Sequence, residues 1–231
     1  MTTTNHKSIE ALATSLERRF RTTESVVEIG GREICIVHPA SAEDLINERD
    51  FERDERLPYW AELWPSSRIL GETLLATKGA ERSLLELGCG AGLVATCAAL
   101  AGYSVTATDY YDDALRFTRV NAWKNDAPAP HTFLLDWRNL PEKRDQFDVI
   151  VASDVLYERP YGALVAQTID AFLSRNGHAL IADPGRVARD AFLQAAGQLG
   201  LDVAKRRDVP FVAGPIRQTI TVFDLRRRVN V

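Results

Sequence analysis

The segment Leu84-Leu85-Glu86-Leu87-Gly88-Cys89-Gly90-Ala91-Gly92-Leu93 constrains this chain more than any other, because it sets an apolar strand, a glycine loop and a helix start in immediate succession. Each glycine removes a Cβ, so the backbone can turn sharply and approach a ligand, while the helix that follows offers free N–H groups in its first turn. Three alternating glycines at a strand end are more than a tight turn requires, which implies a bound small molecule. A dinucleotide fingerprint, G-x-G-x-x-G, would place its third glycine where Leu93 stands. The spacing here is G-x-G-x-G, with an acid, Glu86, ahead of it.

The surroundings of the loop predict an α/β fold. Short apolar runs at Leu84 to Leu87, Val105 to Thr108, Phe133 to Leu135, Val149 to Ala152 and Ala179 to Ala182 read as strands, and helical patterns fill about 91 to 101, 112 to 124, 161 to 174 and 187 to 199. Strand-helix alternation implies right-handed crossovers and a parallel sheet with helices on both faces. Leu201 to Val209 and Arg217 to Leu225 then follow one another without a helix, which predicts an antiparallel last strand.

Ahead of this region, Ile9, Leu12, Ala13, Leu16 and Phe20 recur at helical spacing, and Val26 to Ile29 and Glu33 to Val37 alternate around Gly30-Gly31, the signature of a two-residue hairpin. Residues 1–57 therefore read as a helix and hairpin appendage, and 58–231 as the main domain. The charged run containing Glu43, Asp44, Glu48, Asp50, Glu52, Asp54 and Glu55 marks the boundary and would form an acidic rim able to attract a lysine-rich segment.

Composition narrows the partners. Twenty-eight Lys and Arg against 32 Asp and Glu give a net charge of −4, so no general electropositive surface is expected for a phosphate backbone. The short basic clusters at Lys205-Arg206-Arg207 and Arg226-Arg227-Arg228 read as solvated faces. Cys35, Cys89 and Cys97 form an odd set without metal-ligand spacing, which points to a reducing compartment and no metal. With no signal peptide and no long apolar span, a cytoplasmic monomer is expected, or a mitochondrial matrix protein if the source is eukaryotic.

Two strand ends carry further candidates. Asp109 closes the strand after the glycine loop, where a carboxylate can accept both hydrogens of a ribose diol; as a helix N-cap it would be structural. Phe147 to Tyr157 is a buried strand that ends in the polar step Ser153-Asp154, at the sheet edge where open α/β folds bind ligands.

Glu86 with G-x-G-x-G resembles motif I of class I S-adenosylmethionine (SAM) dependent methyltransferases, which implies the Rossmann-like seven-strand methyltransferase sheet and SAM as cofactor, with S-adenosylhomocysteine as product. Asp154-Val155-Leu156-Tyr157 resembles the D-x-x-Y motif of the methyltransferase family 16 protein lysine methyltransferases, and Tyr59-Trp60-Ala61-Glu62-Leu63-Trp64-Pro65-Ser66-Ser67 resembles the Trp-Pro segment those proteins carry before motif I. Asp183-Pro184-Gly185-Arg186 resembles the branch that methylates the β-subunit of electron transfer flavoprotein, although Asp-Pro-Gly alone is a turn signal. The resemblance implies catalytic Asp154 and Tyr157. It implies cofactor contacts from Trp64, Glu86, Gly88, Cys89, Gly90, Gly92, Asp109, Tyr110, Asp136, Trp137 and Ser153. It also implies substrate contacts from Trp60, Glu62, Asp183 and Arg186. A ribosomal protein or a small molecule is the alternative acceptor, since acceptor choice lies in loops that the fold does not dictate.

A lysine ammonium with an ordinary pKa of about 10.4 must lose a proton before its lone pair can attack a sulfonium methyl. A carboxylate at Asp154 would offset the repulsion between the two cations, and Tyr157 would add a hydroxyl or a cation–π face. Plain packing for Tyr157, a cap for Asp154, one core helix face for Trp60 and Trp64 and a loop position for Asp136 are the structural alternatives.

Overall fold

A computed structural model describes residues 3–42, 45 and 58–228 of the chain. The acidic residues read as a boundary, from Glu43 to Glu55, lie outside the described residues. The first helix, α1, spans Thr3–Arg19. Strands β1 (Thr22–Ile29) and β2 (Arg32–Pro39) follow as an antiparallel pair. Gly30 and Gly31 carry φ of +59° and +76°, the left-handed values a tight hairpin turn demands.

A single 3-10 turn at Tyr59–Ala61 leads into α2 (Pro65–Leu75), which starts with proline at its first turn. The main sheet is then laid down by β3 (Ser83–Leu87), α3 (Leu93–Leu100), β4 (Ser104–Asp109), α4 (Asp112–Lys124), β5 (His131–Leu134) and β6 (Phe147–Ser153). It continues through α5 (Tyr161–Phe172), β7 (Leu173–Asp183), α6 (Arg189–Gln198), β8 (Leu201–Ala213) and β9 (Ile216–Arg227). Seven strands pair in the order β5-β4-β3-β6-β7-β9-β8. β3, β4, β5, β6 and β7 run parallel, and β9 is antiparallel to both β7 and β8.

The period of two along β6 explains its apolar run from Val149 to Ala152. Ile150 and Ala152 pack with Val165, Ile169 and Phe192 of α5 and α6, while Val149 and Val151 pack with Leu70, Leu74 and Val94 of α2 and α3. Both faces are buried from Val149 to Ala152, so polar residues stand only near the two ends, at Asp148, which is exposed, and Ser153. Replacing a fully buried leucine such as Leu70 by alanine should cost about 2–5 kcal/mol.

The appendage is not separate from this core. Leu16 packs with Trp60 and Phe117, and Val27, Ile29, Ile34 and Ile36 pack with Ala91 and Leu93 beside the glycine loop. Among the described residues, no helix is long and apolar enough to cross a membrane.

Candidate functional site

The carboxyl ends of β3, β4 and β6 converge on a cleft of about 980 Å³ that opens to solvent. Sheet geometry alone locates it there, because β3 lies at the point where the strand order reverses. Gly88, Gly90 and Gly92 have φ of +69°, +53° and +85°, so the loop follows a path that side chains resist. A Cβ on Gly88 would come within 3.1 Å of Val155, and one on Gly90 would meet the Trp60 carbonyl oxygen at 3.0 Å. A Cβ on Gly92 would lie 2.6 Å from the Thr118 Cα, which makes this third glycine a packing device between the loop and α4.

Asp109 faces the loop from the end of β4. Its Oδ2 accepts the Gly90 N–H at 2.9 Å and its Oδ1 accepts the Tyr111 N–H at 3.0 Å. Burial pushes its carboxyl above the ordinary range, against the pull of the Gly90, Tyr111 and Tyr110 N–H groups. Each oxygen keeps a lone pair for a hydroxyl donor.

Glu86 sits elsewhere. Alternation puts it on the same sheet face as Leu84, beneath α3, where it is 1 % exposed and outside the cleft lining. Burial, then the proximity of Asp109, push its pKa well above the carboxylate range, against an Ala95 N–H bond that lowers it. Its Oε2 finds no hydrogen-bond partner. The arrangement makes Glu86 a prop under the first turn of α3.

At the β5 end, Trp137 lines the cleft and meets Tyr161 edge-on at 5.5 Å. Asp136 and Tyr110 line it as well, but Arg138 claims Asp136, with Nη2 donating to Oδ2 at 2.8 Å, and lies over the Tyr110 ring at 5.5 Å. Cys89 is at the wall, where burial pushes its thiol well above the ordinary range and leaves it neutral.

The step after β6 holds the densest chemistry. Asp154 adopts φ of +61°, a conformation costing a non-glycine residue about 1–2 kcal/mol. Its N–H donates to the Ala182 carbonyl at 3.0 Å, and its side chain is 2 % exposed. Oδ2 accepts the Ser66 hydroxyl at 2.9 Å, and Oδ1 pairs with Arg186 Nε at 2.5 Å. The same guanidinium stands 5.1 Å above the Trp64 ring. Trp64 Nε1 donates to the Tyr59 carbonyl at 3.0 Å, and Tyr157 packs edge-on against Tyr59 at 5.2 Å and Tyr161 at 5.1 Å. The result is a carboxylate flanked by aromatic rings, with a cation already held between them.

Most residues anticipated from sequence meet here. Trp60, Glu62, Trp64, Gly88, Cys89, Gly90, Gly92, Asp109, Tyr110, Asp136, Trp137, Ser153, Asp154 and Tyr157 all line the cleft. Asp183 does not: it is fully buried, its Oδ2 takes the Gly185 N–H at 2.7 Å, and it shapes the turn from which Arg186 reaches Asp154. Trp60 is only 9 % exposed and belongs largely to the packing around Phe117. Sequence reasoning assigns no role to Tyr59 or Ser66, although both stand in the Trp-Pro segment, and none to Tyr111 or Tyr161; Tyr59, Tyr111 and Tyr161 all line the cleft, the last two outside any recognisable motif.

Positive-φ glycines, a paired carboxylate at the β4 end and an aromatic flank at the β5 end form a cradle whose chemistry fits a nucleoside with a small zwitterionic tail. The carboxylate is a hydrogen-bond acceptor for a diol, and the loop N–H groups suit an anionic end.

Comparison with known proteins agrees with that geometry. Residues 59–226 match a family model described as a methyltransferase domain. Over 133 residues the chain is 34 % identical to the electron transfer flavoprotein beta subunit lysine methyltransferase of Danio rerio, covering 56 % of this chain and 51 % of that protein. Over 125 residues it is 31 % identical to the protein-lysine methyltransferase METTL21E of Mus musculus, covering 48 % and 51 % respectively. The chain spans about half the length of these curated relatives. Among solved structures, a ribosomal-protein methylase from Lactobacillus delbrueckii subsp. bulgaricus superposes with a TM-score of 0.57 at 18 % identity, covering 73 % of this chain and 81 % of the other, a likeness of fold.

Proposed function

The chain belongs to the methyltransferase-domain family, and on that premise we propose that it is a SAM-dependent protein-lysine N-methyltransferase whose favoured substrate is the β-subunit of electron transfer flavoprotein. The observation that carries the lysine reading is the cation site at the end of β6. Asp154, buried and oriented by Ser66, holds the Arg186 guanidinium against the Trp64 ring. A site that holds one side-chain cation by charge and ring contact has the chemistry to hold another. The names of the relatives matched at 34 % and 31 % identity support the acceptor class, and the first of them supports the flavoprotein.

When bound, SAM supplies an electrophilic methyl group on a sulfonium. The residues suited to hold it are the Gly88 to Gly92 loop, Asp109 for the ribose, and Trp137 with Asp136 and Tyr110 at the base. Ser153 and Cys89 would close the wall, with Trp64 over the mouth. Asp154 would hold the incoming ammonium beside the sulfonium and, once that ammonium has released its proton to solvent through the open cleft, accept an N–H of the neutral amine and orient its lone pair toward the methyl group. Tyr157 would close the aromatic side, and Trp60 and Glu62 would border the entrance. Removal of water from this pocket strengthens each of these contacts.

Purified β-subunit, labelled SAM and this protein decide the matter, with mass spectrometry locating the product. Methyl groups on a lysine of the β-subunit are expected, and Asp154→Asn should transfer at least a hundredfold more slowly while keeping its SAM affinity. An unmodified β-subunit beside a labelled metabolite or another labelled protein would overturn the substrate.

A further inference from the structure

Asn121, in the last turn of α4, and Asn125, the residue that caps its C-terminus, stand about one turn apart, a rise of about 6 Å, close to the two-residue repeat of an extended strand at about 6.6 Å. Their carboxamides use that match to complete the open edge of β2. Asn121 Oδ1 accepts the Val37 N–H at 2.8 Å while its Nδ2 donates to the Val37 carbonyl at 2.8 Å. Asn125 repeats the pattern on Cys35, accepting at 2.9 Å and donating at 2.7 Å. Each side chain presents one donor and one acceptor as a neighbouring strand would.

The two differ in one contact. Asn121 spends its second Nδ2 hydrogen on the Ala91 carbonyl of the glycine loop, at 2.8 Å, whereas Asn125 donates back to the Asn121 carbonyl in the last turn of α4. Because the Val37 N–H can only donate, the orientation of the Asn121 amide is fixed, and both of its hydrogens point at carbonyl oxygens. Asn121 is fully buried, so neither bond competes with solvent. One turn earlier, the Thr118 hydroxyl lies 3.2 Å from the Gly90 carbonyl and 3.2 Å from Cys89 Sγ. α4 thus holds consecutive carbonyls of a loop whose glycines have access to both signs of φ, and for which rotation of a peptide plane is the easiest failure.

We propose that Asn121 is a positioning residue of the cofactor loop, one carboxamide tying the Ala91 carbonyl to β2 so that the N-terminal hairpin holds the loop in its binding shape. The inference rests on the glycine loop being the cradle of SAM. It assigns the hairpin a part in cofactor binding, although no hairpin residue lines the cleft.

Asn121→Ser and Asn125→Ser in the full chain separate this from simple loosening of the hairpin. Titration calorimetry with S-adenosylhomocysteine should show at least a tenfold loss of affinity for Asn121→Ser and less than a twofold loss for Asn125→Ser. Hydrogen exchange, read without ligand, should accelerate at the Cys89, Gly90 and Gly92 amides in Asn121→Ser alone and in the β1–β2 hairpin in both variants. If Asn121→Ser does not fold, Asn121→Leu keeps the same branched shape and removes the amide without putting a charge in this buried site, and the same two readouts apply. Equal loss of affinity in both variants, or wild-type exchange of the loop amides in the Asn121 variant, would overturn the proposal. A wild-type protein that binds no S-adenosylhomocysteine would instead count against the cofactor reading, and the exchange comparison would still decide the role of Asn121.

Discussion

Arg186 Nε lies 2.5 Å from Asp154 Oδ1, and its guanidinium hangs 5.1 Å above the Trp64 ring, so a turn after β7 supplies the counter-ion for the carboxylate at the end of β6. Removal of Arg186 leaves Asp154, whose side chain is 2 % exposed, charged and half-paired. A buried pair broken on one side costs about 3–5 kcal/mol, but Arg186 is 33 % exposed and water would replace part of it, which brings the expected loss to about 1–3 kcal/mol. Arg186→Met should therefore melt several degrees below the wild type by calorimetry, at about 2–4 °C per kcal/mol. Pairing the change with Asp154→Asn should recover most of that loss. Additive losses in the double variant would mean that the two residues do not depend on each other.

Tyr157 tests whether its hydroxyl or its ring matters. Burial, and then the neighbouring Tyr161, push this phenol far above its ordinary value, so it stays protonated at any physiological pH and cannot serve as a tyrosinate base. Tyr157→Phe keeps the ring against Tyr59 and Tyr161 and should lower the rate of methyl transfer less than tenfold. Tyr157→Ala removes the ring and should lower it far more. A pH–rate profile that loses an alkaline limb in Tyr157→Phe would contradict this account.

Glu86 should leave a mark on the pH dependence of stability. Its pKa is raised in the folded protein, so the native state holds a proton that the unfolded chain releases near pH 4.5. The stability this proton provides is complete below that range and is lost as pH rises toward the folded value. Glu86→Gln, neutral at every pH, removes the slope. The variant should gain on the wild type as pH rises above 4.5 in thermal melts, and parallel curves would show that Glu86 does not carry a raised pKa.

What the sequence made legible was local. Periodicity located β3, β4 and β6 to within two residues, and Gly30-Gly31 announced the hairpin turn, because strand alternation and left-handed φ leave direct marks on residue choice. The helix α2 went unread because Ser66, Ser67 and Gly71 dilute its pattern; Gly71 is there to let α3 approach, since a Cβ would meet Cys97 Sγ at 2.9 Å. With α2 went Ser66 and its bond to Asp154. The expected helix from 161 to 174 stops at Phe172, where the chain turns directly into β7. The resemblance to motif I implies a cofactor contact for Glu86, yet the alternation that buries Leu84 assigns it to the α3 face. The Arg186–Asp154 pair and the Asn121 clamp join residues far apart in the chain, and no spacing rule could have paired them.

The central claim is that the cleft between β3, β4 and β6 is a SAM site with Asp109 holding the ribose, and calorimetric titration with S-adenosylhomocysteine tests it most directly. The wild type should bind one equivalent, unaffected by excess NAD. Asp109→Ala, which loses charge-assisted hydrogen bonds worth about 1.5–3 kcal/mol, should bind roughly ten- to a hundredfold more weakly. Equal affinity in the two proteins, no binding in the wild type, or displacement by NAD would contradict the account.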